Sequence, residues 1–271
     1  MPEHDLTTAG AASGATGDLP LLRDAAREAG VIDMRYFGKN PQVWMKGGTS
    51  PVSEADHAAD AYLRETLLAA RPDYGWLSEE TADDPARLAA RRTFVVDPID
   101  GTRGFLEGLR SWCVSVAVVE DGRTLAGVLE CPAREEAYWA LPGKGAFRNG
   151  KSIAVRRPSA TVEIGGLKQL IDLMPAEWQS RLHRAPHIPS LAYRLAMVAN
   201  GALDATFVKP SAHDWDIAAA DLILREAGGA LLDQNGRAPR YAGEVIRHGA
   251  LVAGSGELLA VLAGVIAGLD G

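Results

Sequence analysis

The spacing of hydrophobic positions changes along this chain. From about Leu19 to Phe37 it predicts a first helix, stopped near Gly38-Lys39-Asn40-Pro41. Lys46-Gly47-Gly48-Thr49-Ser50-Pro51 is polar and reads as a hinge. Ser53 then stands as an N-cap with Asp56 three residues on, a capping-box pattern, and Ala55, Ala58, Ala59, Tyr62, Leu63 and Leu67 follow at helical spacing. This second helix ends before Arg71-Pro72. In the middle of the chain the period falls to two. Phe94-Val95-Val96 predicts a short buried strand ending at Asp97, and Val114, Val116 and Val118 alternate with Ser115, Ala117 and Val119. Leu125 to Leu129 and Glu136 to Ala140 are further strands, punctuated by Gly122, Pro132 and Pro142-Gly143. That is a meander rather than a βαβ alternation. In the last third, helical spacing returns over Leu191 to Ala199 and over Trp215 to Ala227, with strands at Ala205 to Val208 and from Leu231. Gly228-Gly229 is a C-terminal helix stop.

Helices, then a strand block, then mixed elements predict layered α+β packing. The 271 residues suffice for one large domain or two joined halves. Residues 1–18, poor in large apolar side chains, read as a disordered leader. The remainder, 19–271, reads as a single domain, with an N-terminal α+β half over about 19–155 and a C-terminal α/β half over about 156–271. Leu258 to Leu269, the longest apolar stretch, is shorter than the about 20 residues a spanning helix needs and reads as a buried C-terminal helix. With no basic start and no apolar run at the N-terminus, a cytoplasmic location without membrane contact is expected. The net charge of −7 argues against a nucleic-acid partner, whereas a small phosphorylated substrate can be neutralised locally by a bound cation. Cys113 and Cys131 are too few for a disulfide framework. Cys113, Trp112 and Tyr138 read as core.

The chemistry concentrates in Asp97-Pro98-Ile99-Asp100-Gly101-Thr102, directly after a strand. Pro98 stiffens the turn. Two carboxylates three residues apart can converge, and the Ile99 carbonyl between them adds a third oxygen, the all-oxygen shell that hard cations such as Mg²⁺ want. Amides of Gly101 and Thr102 could donate to a phosphate if a helix starts there. The same residues also make an ordinary capped turn. Ser78-Glu79-Glu80 follows the apolar pair Trp76-Leu77, and His213-Asp214-Trp215-Asp216 opens a helix, where Asp216 could equally be a cap.

These motifs resemble the inositol monophosphatase family of metal-dependent phosphatases. Ser78-Glu79-Glu80 resembles its acidic GEE element, Asp97 to Thr102 its DPxDGT element, and Trp215-Asp216-Ile217-Ala218-Ala219 its WDxAA element. The resemblance runs from about Leu21 to the C-terminus and implies a layered α-β-α-β-α sandwich, a homodimer, lithium sensitivity and two or three Mg²⁺ ions per site, with Mn²⁺ able to substitute. It implies that Glu79, Asp97 and the Ile99 carbonyl hold the first metal, that Asp97, Asp100 and Asp216 hold the second, and that a third sits near Glu79. Asp56 and Thr102 would orient and deprotonate the attacking water, with Glu79 also in the catalytic set. Lys46 matches a basic position before that acid. Gly101, Thr102, Asp100, Asp216, Ser190 and Lys209 are the implied substrate contacts.

Departures from the family pattern bear on the substrate. Ser78 stands where the family usually has Gly. Phe207-Val208-Lys209-Pro210 lacks the glutamate that inositol-specific members use for ring hydroxyls, and Lys209 favours a second negative group. The segment Gly165 to Arg184 adds Lys168, Arg181, His183 and Arg184, either a basic rim or a solvated face. The expected substrate is therefore adenosine 3′,5′-bisphosphate or inositol 1-phosphate, with histidinol phosphate and fructose 1,6-bisphosphate as alternatives. A catalytically idle metal-binding relative is the non-enzyme alternative.

Overall fold

Alternation along the central strands decides which layer each side chain enters. The computed structural model describes residues 7–48, 50–157 and 159–270, and side chains within 17–269. Its N-terminal part runs through helix α1 (Thr7–Met34), strands β1 (Val43–Lys46) and β2 (Ser50–Ser53), helix α2 (Glu54–Ala70), strands β3 (Gly75–Ser78) and β4 (Arg92–Asp100), and the short helix α3 (Thr102–Leu106). Strands β5 (Cys113–Glu120), β6 (Arg123–Cys131), β7 (Glu136–Ala140), β8 (Ala146–Arg148) and β9 (Lys151–Ile153) follow. Together β3 to β9 form a seven-stranded sheet in sequence order, with β3 parallel to β4 and every later pairing antiparallel. The expected meander is thus present, with one parallel strand added at its edge.

The C-terminal part contains β10 (Val162–Gly165), α4 (Lys168–Ile171), α5 (Ala176–Gln179), β11 (Leu182–Arg184), α6 (Leu191–Ala199), β12 (Ala205–Val208), α7 (Asp214–Glu226), β13 (Ala230–Asp233), β14 (Leu251–Gly254) and α8 (Gly256–Ala267). Its five-stranded sheet has the order β11-β10-β12-β14-β13.

Phe94, Val96, Val114, Val116 and Val118 turn one face of the large sheet toward α1 and α2, where Leu22, Ala26, Leu63 and Leu67 meet them. Leu77, Val95, Ala117 and Leu129 turn the other face toward α6 and α7, against Leu195, Ile217 and Ile223. The far side of those two helices meets the small sheet through Val208, Leu231, Leu251 and Ala253. Ile164, Phe207 and Val252 on its outer face are covered by Leu170, Trp178, Leu258 and Leu262 from α4, α5 and α8. The layers run α-β-α-β-α. Trp112, Cys113 and Tyr138 are fully buried, as expected. Among the described residues no helix is long and apolar enough to cross a membrane.

Three boundaries differ from the sequence reading. Helix α1 begins at Thr7, well inside the expected leader, although its first turns mix alanine with the weak helix formers Gly and Thr; residues 1–6 lie outside the described residues. Asp18 is buried and anchors this segment, accepting hydrogen bonds from Arg71 Nε at 2.9 Å and the Tyr74 hydroxyl at 3.0 Å. The expected hinge around Lys46 is the antiparallel hairpin β1–β2, with Trp44 opposite Val52. Strand β4 also runs on through Asp97 to Asp100, where a turn was expected.

Candidate active site

Between Asp97 and Asp100 the pairing of β4 with β5 slips. Asp97 lies opposite Ser115 and Asp100 opposite Cys113, so three steps on β4 match two on β5. Plain alternation would aim these carboxylates at opposite faces of the sheet. The bulge brings both to the same side. Asp97 Oδ1 accepts from the Ile99 amide at 3.0 Å, which stiffens the bulge from within. Gly101 follows with φ of 97°, and a Cβ on it would lie 3.0 Å from the Ser190 amide nitrogen. Only glycine suits both that dihedral and that approach.

Two further elements deliver acids to this point. Glu79 stands just beyond β3, its amide donating to the Val96 carbonyl at 3.2 Å. Asp216 lies in the first turn of α7, and its Oδ2 accepts from the His213 amide at 2.7 Å, so it caps the helix while facing the cleft. Ligand oxygens of Glu79, Asp97 and Asp216 all lie within 4.8 Å of one another. Asp100 sits beside them, held from the other side. Ser190 Oγ, the N-cap of α6, and the Ala192 amide, at 2.6 Å, both donate to Asp100 Oδ2. Ser190 is completely buried, so its hydroxyl orients Asp100 rather than opening onto the cleft.

The electrostatics of this cluster are those of a cation site. Burial first, then Glu79, Asp100 and Asp216, push the Asp97 carboxyl well above the usual carboxylate range. Burial and Asp100 do the same to Asp216. Burial raises Asp100 to about 6, against the hydrogen bond from Ser190. Asp97 Oδ2 is buried with no hydrogen-bond partner among the described residues. A set of buried, mutually repelling carboxylates with an idle oxygen fits hard divalent cations and little else.

Lys46, at the end of β1, reaches Glu79 Oε1 at 3.0 Å and Glu80 Oε1 at 2.8 Å. Burial works against its charge, but Glu79 and Glu80 outweigh it and raise its pKa. Glu80, buried beside Glu79, is pushed up to about 7 despite Lys46. The sequence pattern marks Glu80 in the acidic element but gives no sign of its pairing with Lys46 or of the depth of that contact. Only the register of the hairpin reveals them.

Behind Thr102 a second set of side chains forms a chain. Asp56 Oδ2 accepts from the Ser53 amide at 2.8 Å and the Ser53 hydroxyl at 2.6 Å, and its Oδ1 accepts from Thr102 Oγ1 at 2.9 Å. Thr102 Oγ1 also lies 3.0 Å from the Ile99 carbonyl. Asp56 is fully buried, and burial raises its pKa in spite of those three donors. The capping box read from the sequence is therefore also the anchor of the Asp56–Thr102 pair.

The acids, Gly101 and Thr102 open onto one cleft of about 880 Å³. Lys209, Lys168 and Arg184 line it as well, so part of the Gly165–Arg184 segment does border the site. Arg181 and His183 do not: Arg181 donates to the Ser159 carbonyl at 2.6 Å and His183 pairs with Glu163 at 2.7 Å. His213 stacks on Trp215 with ring centroids 4.6 Å apart, and burial followed by Arg247 lowers its pKa, which keeps the ring neutral. Arg194 on α6 also lines the cleft. Its signal in the sequence is a lone cation in the apolar run Leu191 to Ala199.

The profile of the inositol monophosphatase family matches residues 19–268. The inositol-1-monophosphatase of Rhizobium meliloti (strain 1021) is 33% identical over 269 residues, covering 92% of this chain and 95% of the relative. The histidinol-phosphatase of Mycobacterium tuberculosis (strain H37Rv) is 31% identical, covering 85% of this chain and 92% of the relative. The solved structure of the extragenic suppressor protein suhB from Bartonella henselae is similar with a TM-score of 0.80 at 30% identity, covering 92% of this chain and 98% of that one.

Proposed function

This chain belongs to the inositol monophosphatase family of phosphatases, and we propose that it is a Mg²⁺-dependent phosphomonoesterase that prefers a small substrate bearing a second negative group. The observation that carries this reading is the meeting of Glu79, Asp97 and Asp216 with Thr102 in one cleft, Thr102 being bonded from behind to the buried Asp56–Ser53 pair. Glu79, Asp97, Asp100, Asp216 and the Ile99 carbonyl would hold two or three cations, Mg²⁺ by preference and Mn²⁺ as a substitute. When bound, such cations stabilise charge on the phosphoryl oxygens and acidify the attacking water.

The chain's own residues do the rest. Thr102 Oγ1 gives its proton to Asp56 Oδ1 as it takes one from the water, and Ser53 holds Asp56 still while this happens. A base whose pKa burial has raised is better suited to that task than an ordinary carboxylate. Gly101 lets β4 turn into α3 against Ser190, which sets the Thr102 amide at the cleft, where it would donate to a phosphoryl oxygen. Ser190 fixes the angle of Asp100. No side chain is asked to form a covalent intermediate.

The substrate preference rests on charge. Lys168, Arg184 and Lys209 line the wall beyond the acids, and Phe207-Val208-Lys209 offers no acid to inositol hydroxyls. Adenosine 3′,5′-bisphosphate suits such a cleft, with inositol 1-phosphate next. Histidinol phosphate, which carries an ammonium, would meet like charge. The test is phosphate release with Mg²⁺ from these three compounds and fructose 1,6-bisphosphate, compared by kcat/KM. The reading predicts the highest value for a bisphosphate; no turnover of any of them by metal-loaded protein refutes it. Lithium inhibition and a cytoplasmic homodimer complete the proposal, the first read as loss of rate at high lithium, the second by sedimentation.

A further inference from the structure

Helix α6 carries one charged side chain, Arg194, among Leu191, Ala192, Leu195, Ala196 and Val198. Its Nη2 donates to the Phe207 carbonyl at 3.4 Å, close to the outer limit for a hydrogen bond. Its Nε is shut off from water and has no partner among the described residues. No carboxylate forms an ion pair with it there; burial lowers its pKa, against the charge of Asp100. A guanidinium taken out of water without compensating bonds costs stability, so its retention calls for a partner.

The fold makes room for this side chain. A Cβ on Gly165 would lie 3.1 Å from Arg194 Cδ and 2.9 Å from Thr206 Oγ1. Gly166 has φ of 116°, and a Cβ there would lie 2.8 Å from the Phe207 carbonyl oxygen. Gly165 thus leaves room for the Arg194 side chain, and Gly166 lets the chain pass close to the Phe207 carbonyl that Arg194 touches. The same cleft holds Asp97, Asp100 and Asp216 at its acidic end and Lys168 and Arg184 at its rim. The acidic end takes the reacting group through cations, which leaves the idle guanidinium for a different anion. A planar fork of donors matches phosphate better than any other common group.

We propose that Arg194 is a specificity-determining residue that binds the second, non-reacting phosphate of a bisphosphorylated substrate, with Lys168 and Arg184 drawing that phosphate in. This rests on the phosphomonoesterase reading above.

The experiment pairs each bisphosphate with the monophosphate that lacks the second group: adenosine 3′,5′-bisphosphate with adenosine 3′-monophosphate, and fructose 1,6-bisphosphate with fructose 1-phosphate. In at least one pair the wild type has a kcat/KM about tenfold or more higher for the bisphosphate, as loss of a charge-assisted contact would remove. The pair that shows the preference identifies the substrate skeleton. Arg194→Met abolishes the preference through KM, leaves turnover of the monophosphate within about twofold, and so reports its own folding; Arg194→Lys, which keeps the charge but not the fork, falls between. Equal loss on both members of a pair, no loss, or no preference in either pair overturns the proposal. Phosphate release from p-nitrophenyl phosphate is run beside these assays. If the wild type fails there and on all four compounds, the phosphomonoesterase reading fails. Calorimetry with the same pairs then decides on Arg194 alone: a bisphosphate binding about tenfold tighter than its partner, with the gap closed in Arg194→Met, supports the pocket, and equal affinities overturn it.

Discussion

Asp56→Asn tests the water-activating chain with little disturbance to the fold. Asp56 Oδ2 accepts from the Ser53 amide at 2.8 Å and the Ser53 hydroxyl at 2.6 Å. The amide cannot reverse its role, so an asparagine must keep its oxygen toward Ser53 and turn its NH₂ toward Thr102. Thr102 Oγ1 then accepts from that NH₂ and donates to the Ile99 carbonyl, already 3.0 Å away. Every hydrogen bond survives, and a buried charge is removed where burial already raises the carboxyl's pKa. Unfolding free energy should therefore stay within about 1 kcal/mol of wild type or rise. Catalysis should not survive. Thr102 loses both the acceptor for its proton and the lone pair that would take one from water, and removing such proton transfer costs about 100- to 10,000-fold in kcat. KM should change little, because the carboxylate cluster is untouched. Thermal melts and steady-state phosphate release on one preparation measure both. A variant that keeps kcat within about tenfold of wild type, or that loses melting temperature together with activity, refutes the reasoning.

Three further outcomes follow from the same geometry. Asp33 is fully buried with neither oxygen paired among the described residues, and burial followed by Asp56 holds its pKa well above the ordinary value. A raised folded pKa means that stability present at low pH is lost as pH rises through it. Asp33→Asn should therefore stabilise the protein by roughly 1–3 kcal/mol at neutral pH and less at pH near 4 in denaturant titrations, and an advantage independent of pH would contradict this. The raised pKa values of Asp97 and Asp216 make the metal-free protein lose stability as pH rises, so chelation should lower the melting temperature most at alkaline pH. Asp97→Asn should raise the metal-free value and shrink the shift caused by Mg²⁺, as scanning calorimetry would record. Gly101→Ala forces a Cβ into the Ser190 backbone at a left-handed dihedral. It should cost at least about 1–2 kcal/mol and reduce turnover by displacing Asp100 and Thr102 together; wild-type stability would count against the stated role of that contact.

How much of this was legible beforehand depended on range. The Ser53–Asp56 capping box is a contact between near neighbours, and the sequence pattern identified it. The apolar alternation at Val114, Val116 and Val118 set the outer face of a strand in the same local way. The start of α1 and the hairpin at Lys46 escape the local pattern because neither has an apolar signature: beside one, Asp18 reaches Arg71, and the other is held by strand pairing across a polar turn. The family motifs marked Glu79, Asp97, Asp100, Thr102 and Asp216, but said nothing of the bulge that turns Asp97 and Asp100 to one side.

The chain's order of residues by itself determined the second helix, the central strand meander, the acid types and their resemblance to a phosphatase family, because helix caps, strand alternation and motif spacing are written within a few residues. Tertiary structure alone decided which acids share a cavity, that Ser190 serves Asp100 from beneath, that Lys46 pairs with both Glu79 and Glu80, and that Arg194 reaches the cleft with its Nε lacking a partner among the described residues. Those facts depend on strand register and on helices from distant parts of the chain. Burial then sets the charge of each group, and no linear pattern encodes how much water a folded surface excludes.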